Sequence, residues 1–79
     1  MARVRSFERG TQSVKAHPTE ADCFHQEVTL PNGERLLHLS TFGSENRQSQ
    51  PKSSQSLQLD EEACRALLTI IRETFPGIR

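Results

Sequence analysis

The 79-residue chain contains no Trp and no Tyr, and its four Phe are its only aromatic residues. Any interior it builds is therefore largely aliphatic. It also lacks an excess of either charge: ten Lys and Arg balance ten Asp and Glu. That neutrality argues against a strong, sequence-independent grip on nucleic acid. Two cysteines, Cys23 and Cys64, are too few for a disulfide framework. They read as reduced, buried thiols of a cytoplasmic protein, because a free Cys behaves as a small hydrophobe. No apolar run is long enough to span a bilayer, and no charged-then-apolar signal segment opens the chain, so no membrane contact is expected. Gly33 and Gly43 are isolated and Gly77 marks a stop, which leaves no glycine-rich phosphate loop. A chain of this size buries only about 60% of its unfolded surface, so it needs help to be stable. A single Cys23–Cys64 bridge is the lesser alternative to reduced thiols, which leaves a metal or a second subunit as the usual remedy.

What is present is one long helical pattern, Leu59 to Phe75. Asp60 is a good N-cap, Glu61 and Glu62 suit the positive end of the helix dipole, and Arg72 suits the negative end. Pro76 and Gly77 stop it. Glu62, Arg65, Thr69, Arg72 and Glu73 form a polar strip. Ala63, Leu67, Ile70 and Ile71 lie opposite, and Cys64, Leu68 and Phe75 widen the apolar arc to one side. The arc exceeds what one small sheet covers. The expectation is a helix with one flank on a sheet and the other, through Cys64, Leu68, Ile71 and Phe75, on a second copy.

Residues 1–21 show no sustained period and read as a flexible, somewhat basic arm. Within it, Val4 to Phe7 could add an edge strand. Residues 22–79 then form the single domain. Cys23 to Leu30 alternates as a strand, with Phe24, Val28 and Leu30 on one side and His25, Glu27 and Thr29 on the other. Pro31-Asn32-Gly33 is a hairpin signal compatible with two registers. A two-residue Asn32-Gly33 turn pairs Val28 with Leu37 and gathers Phe24, Val28, Leu37 and Leu39. A three-residue loop with a bulge brings Leu36 and His38 to that side instead. The first is preferred because it collects the better apolar set on one face. The second strand runs from Glu34 to Phe42, and in that register Leu36 and Phe42 point outward. They mark either a binding surface or a strand whose twist returns them to the core edge. Residues 43–53 are wholly polar, which suits either a recognition loop or plain flexibility. Ser54 to Leu59 alternates again, with Leu57 and Leu59 inward. The fold class expected is α+β: an antiparallel sheet of three or four strands with one C-terminal helix on a face.

Chemistry is thin. Cys23 and His25 share a strand face and His38 could lie across from them, but no second close pair completes a zinc site, so no metal or other cofactor is expected. Asp22, His25 and Ser40 contain the residue types of a nucleophilic triad without any strained display of the serine. The expectation is a protein that is not an enzyme.

One likeness covers roughly Leu30 to Ile71. LLHLSTF, a polar loop, and then PKSSQSLQLDEEACRALLTII resemble the C-terminal core of the single-strand-binding transcriptional coactivator family, positive cofactor four. The resemblance implies an antiparallel sheet backed by a long helix, with dimerisation through the helices. The family's contact chemistry matches only in part. Its hairpin lysines fall on Asn32 and Glu34, its arginine falls on Ser40, and its tryptophan falls near Phe42 or Gly43. Lys52 matches a basic loop position, and Phe42 could serve as a stacking ring. The reading that follows is a small binding module, expected to be a homodimer, for single-stranded nucleic acid. Arg35, Arg47 and Lys52 would pair phosphates, Phe42 would stack, and His38 and Gln55 would hydrogen-bond. The alternative is a protein-interaction module or regulatory subunit anchored on Leu36 and Phe42.

Overall fold

A computed structural model of the chain describes residues 1–42 and 53–79, with Ser53 and Ser54 described by backbone alone. It is an α+β fold. β1 (Ala2–Arg3), β2 (Asp22–Thr29), β3 (Arg35–Phe42) and β4 (Ser53–Leu59) are followed by α1 (Glu61–Thr74). The strands form one sheet in the order β1-β4-β3-β2. β2, β3 and β4 are antiparallel neighbours, whereas β1 runs parallel to β4. The sheet is thus mixed rather than purely antiparallel. The short edge strand lies two residues before the expected Val4 to Phe7, extended by a 2.8 Å bond from the Val4 N–H to the Gln58 carbonyl. Arg3 explains the placement, since its guanidinium sits 3.8 Å from Glu34 and 3.6 Å from Asp60.

The β2–β3 hairpin uses the three-residue loop, and Val28 pairs with Leu36 instead of Leu37. The cause is Pro31. In a two-residue turn, Pro31 would face Glu34 and would have to donate an N–H that proline does not have. In the observed loop Leu30 takes that position, donating to the Glu34 carbonyl at 2.7 Å and accepting from the Gly33 N–H at 2.9 Å. Pro31 occupies the first central position of the turn, where its fixed φ fits. The Asn32 side chain accepts from the Glu34 N–H at 2.9 Å, and Gly33 takes φ of +90°, a conformation costly for any side chain.

The one-residue difference exchanges the faces of β3 relative to β2. Phe24 and Val28 share a face with Leu36, His38, Ser40 and Phe42, not with Leu37 and Leu39. Leu37 and Leu39 join Leu57 and Leu59 of β4 on the other face. Apolar residues therefore line both faces. Leu36, expected to point outward, is buried at 4% exposure, and with Leu59 and Ala63 it makes up the buried apolar core among the described residues. Leu57, expected inward, is 47% exposed. Cys23 is exposed on β2 and Cys64 half-buried on α1, so the expectation of two buried thiols fails at Cys23.

α1 begins where β4 ends. The Asp60 carboxylate caps it, accepting from the Ala63 N–H at 2.8 Å, and Glu61 pairs with Arg65 one turn on. It stops at Thr74 because Phe75, preceding Pro76, is held out of the helical region at φ −127° and ψ 84°. β4 is its principal neighbour among the strands. Ala63 is buried, Cys64, Leu67 and Ile71 are half-buried, and Leu68, Ile70 and Phe75 are exposed. The inward stripe is narrower than the apolar arc. No helix among the described residues is long and apolar enough to cross a membrane.

A candidate binding face on the sheet

The register that buries Leu36 also creates the most distinctive surface in the molecule. Phe24 on β2 pairs with Ser40, and Phe42 lies two positions further along β3, so the two rings meet diagonally. Their centroids are 5.0 Å apart with planes at 76°, an edge-to-face contact. Such geometry sets the positive rim of one ring against the negative face of the other. Phe24 keeps 55% of its surface in solvent, so the pair is a platform rather than a piece of core. Ser40 is buried beside it at 4% exposure.

The same face continues into β4. His38 pairs with Gln58, and the Gln58 amide nitrogen lies 3.0 Å from His38 Nδ1, which fixes the imidazole orientation. Gln26, opposite His38 on β2, is exposed. An aromatic pair thus adjoins a row of neutral donors and acceptors: Gln26, His38 and Gln58. That combination can stack a planar group and hydrogen-bond its edge.

The residues expected to act together divide between the two faces. His38 and Phe42 lie on the platform face, whereas strand alternation puts Arg35 and Gln55 on the other. Arg35 is exposed and sits 3.7 Å from Glu27, so its charge is partly answered within the chain. A strand laid across one face cannot reach all four. Arg47 and Lys52, and the polar stretch containing them, fall outside the described residues. Of the residues expected at an interface between copies, Leu68 and Phe75 are exposed and Cys64 and Ile71 are half-buried. Phe24 is the residue sequence reasoning missed. Its signal was the register: only when Val28 faces Leu36 do Phe24 and Phe42 share a side.

The other chemical groupings come apart in three dimensions. His38 lies on the face opposite Cys23 and His25, and no cluster of three metal-ligating side chains occurs among the described residues. His25 likewise points away from Asp22 and Ser40. A groove lined by Glu27, Glu34, Asp60 and Glu61 with Arg35 carries four carboxylates against one guanidinium and would repel phosphate. Cations able to meet phosphate lie elsewhere: Arg5, Arg9 and Lys15 in the N-terminal segment are exposed and form no ion pair among the described residues.

Compared with known proteins, the chain matches no family model, no curated protein and no solved structure.

Proposed function

We propose that this chain is a small, non-catalytic binding module that takes single-stranded nucleic acid across the Phe24–Phe42 face. The observation that carries the reading is the half-exposed, edge-to-face aromatic pair beside Gln26, His38 and Gln58. Stacking on an aromatic side chain contributes roughly 1–3 kcal/mol per base and tolerates any sequence, because every base has a π-face. Hydrogen bonds from Gln26, His38 and Gln58 then read or orient base edges. Phosphate contacts fall to Arg47 and Lys52 and to the exposed cations Arg5, Arg9 and Lys15. With net neutrality and few cations, affinity is modest and depends more on stacking than on charge. The acidic groove at the helix start turns the strand away from that side.

The test is fluorescence anisotropy with short single-stranded and duplex oligonucleotides. Phe24→Ala and Phe42→Ala should each weaken single-strand binding by roughly 5- to 150-fold, the equivalent of about 1–3 kcal/mol. Binding should fall with salt along a shallow log–log line, its slope set by a few phosphates. If both variants bind like the parent, the platform is not the site.

A second reading, a protein-interaction module or regulatory subunit, is favoured by a separate observation. Leu57, Leu68, Ile70 and Phe75 each keep between 38% and 59% of their surface exposed. A second copy of this chain on the Leu68–Phe75 flank of α1 would cover much of it. Leu68→Glu would place a charge there, and an unchanged sedimentation mass relative to a dimeric parent would rule that contact out.

A further inference from the structure

The two edges of the sheet differ in kind. At one, β1 is two residues long and carries Arg3, held by Glu34 and Asp60. Short strands and inward charges are how proteins blunt an edge. At the other, β2 is eight residues long and keeps regular register with β3 over its whole length. It holds no Pro, Lys or Arg, and the bulge in the sheet lies between β3 and β4 instead. Asp22 to Glu27 are exposed throughout. The two carboxylates of β2, Asp22 and Glu27, leave the outward backbone N–H and C=O groups of the strand open to a further strand.

The hairpin fixes which backbone groups face outward. Leu30 and Glu34 are hydrogen-bonded across the turn. Alternation along an antiparallel pair then turns Val28, Gln26 and Phe24 toward β3. Cys23, His25, Glu27 and Thr29 are left presenting N–H and C=O groups to the open edge. Any added strand must satisfy those four residues.

We propose that the occupant of this edge is β2 of a second copy, antiparallel, about a two-fold axis at Gln26. The sequence of β2 is complementary to its own reverse in that register. Phe24 faces Val28 of the partner subunit, His25 faces Glu27 of the partner subunit, and Cys23 faces Thr29 of the partner subunit. An apolar pair, an imidazole–carboxylate pair and a small polar pair are all favourable cross-strand neighbours. Other two-fold registers are poorer. Centring on Glu27 sets two carboxylates against each other, and centring on His25 sets Phe24 against Gln26 and Asp22 against Val28. The Gln26-centred register also uses the whole strand, and all four edge-facing residues find partners. The result is one continuous sheet of two chains, with both Phe24–Phe42 platforms on the same face.

Disulfide trapping tests the register. At the two-fold the Gln26 positions form a non-hydrogen-bonded pair with Cα atoms about 4.5 Å apart, within disulfide reach. In a full-length Cys23→Ser background, Gln26→Cys should oxidise to a covalent dimer at micromolar concentration. Phe24→Cys, whose copies lie four residues out of register, should not. Adding His25→Pro should abolish trapping, because it removes an edge-facing N–H while sparing the bonds to β3. Its far-UV circular dichroism should stay that of the parent. As a check that needs no variant, amide exchange at Cys23, His25, Glu27 and Thr29 should slow as protein concentration rises. No crosslink at position 26, equal crosslinking at 24 and 26, or concentration-independent fast exchange at those four amides would overturn the proposal. Each readout concerns β2 alone, so none depends on nucleic-acid binding or on the helix flank.

Discussion

Gly33 offers the sharpest test of the hairpin. Its φ of +90° lies where a side chain is strained, yet among the described residues no atom beyond Gly33 and its two chain neighbours lies within 4 Å of the place a Cβ would occupy. Gly33→Ala therefore meets no steric neighbour, and its whole cost is conformational. A non-glycine residue in the left-handed region costs roughly 1–2 kcal/mol. For a small protein with a urea m-value near 1 kcal/mol/M, that moves the denaturation midpoint down by about 1–2 M at unchanged m. Gly33→Asn should lose distinctly less, since Asn enters positive φ more readily than other side chains. Gly10→Ala is the control, because Gly10 is equally open and is not at positive φ. It should be neutral or slightly stabilising through the unfolded state. If Gly33→Ala and Gly10→Ala shift the midpoint alike, or if Asn is no better than Ala at position 33, the three-residue loop and its register are wrong.

Two further substitutions probe the helix cap and the core. Asp60→Ala removes both the cap to Ala63 and one of the two carboxylates beside Arg3, and should cost about 1–2 kcal/mol in chemical denaturation. Asp60→Asn keeps the cap and loses only a half-exposed ion pair, so it should cost less than half as much; equal losses would mean that the cap is not what matters. Leu59→Ala empties the least exposed side chain among the described residues, at 2%, and should cost about 2–5 kcal/mol. Against a total of roughly 4–12 kcal/mol expected for this length, that is enough to broaden or abolish the unfolding transition. An unmoved midpoint would show that the core lies elsewhere.

The helix was legible because its signals are local. Asp60, the early carboxylates and Pro76 act within a turn of their own backbone, so they can be read without knowing any distant contact. Alternation made the strands legible for the same reason. The register of β2 against β3 was not, although the decisive residue stood in plain view. Choosing a register by the better apolar face assumes that only one face is buried. Here Leu36 on one face and Leu59 on the other are both buried, so that criterion does not discriminate. Hydrogen-bond accounting does, because Pro31 cannot occupy a ladder position that must donate. The sequence pattern puts the edge strand at Val4 to Phe7, whereas it lies at Ala2–Arg3: two residues have no alternation to read, and their place is set by pairing with Leu57 and Gln58 far along the chain.

The candidate site follows from that single missing N–H. With Val28 facing Leu37, Phe42 would sit on the opposite side from Phe24, and neither ring would have an aromatic neighbour. With Val28 facing Leu36, the rings meet, Leu36 moves into the core, and His38 comes to share its face with Phe24. The contact set read from the sequence follows β3, the polar stretch after it and β4 residue by residue, without regard to parity. Its division between two faces is the direct consequence. A platform needs neighbours on adjacent strands, and adjacency across strands is the one property that neither composition nor spacing along the chain contains. The chain's few aromatic residues then become informative: two of its four Phe stand in edge-to-face contact at a partly exposed position, with Phe24 on the edge strand β2, beyond which no other described strand lies.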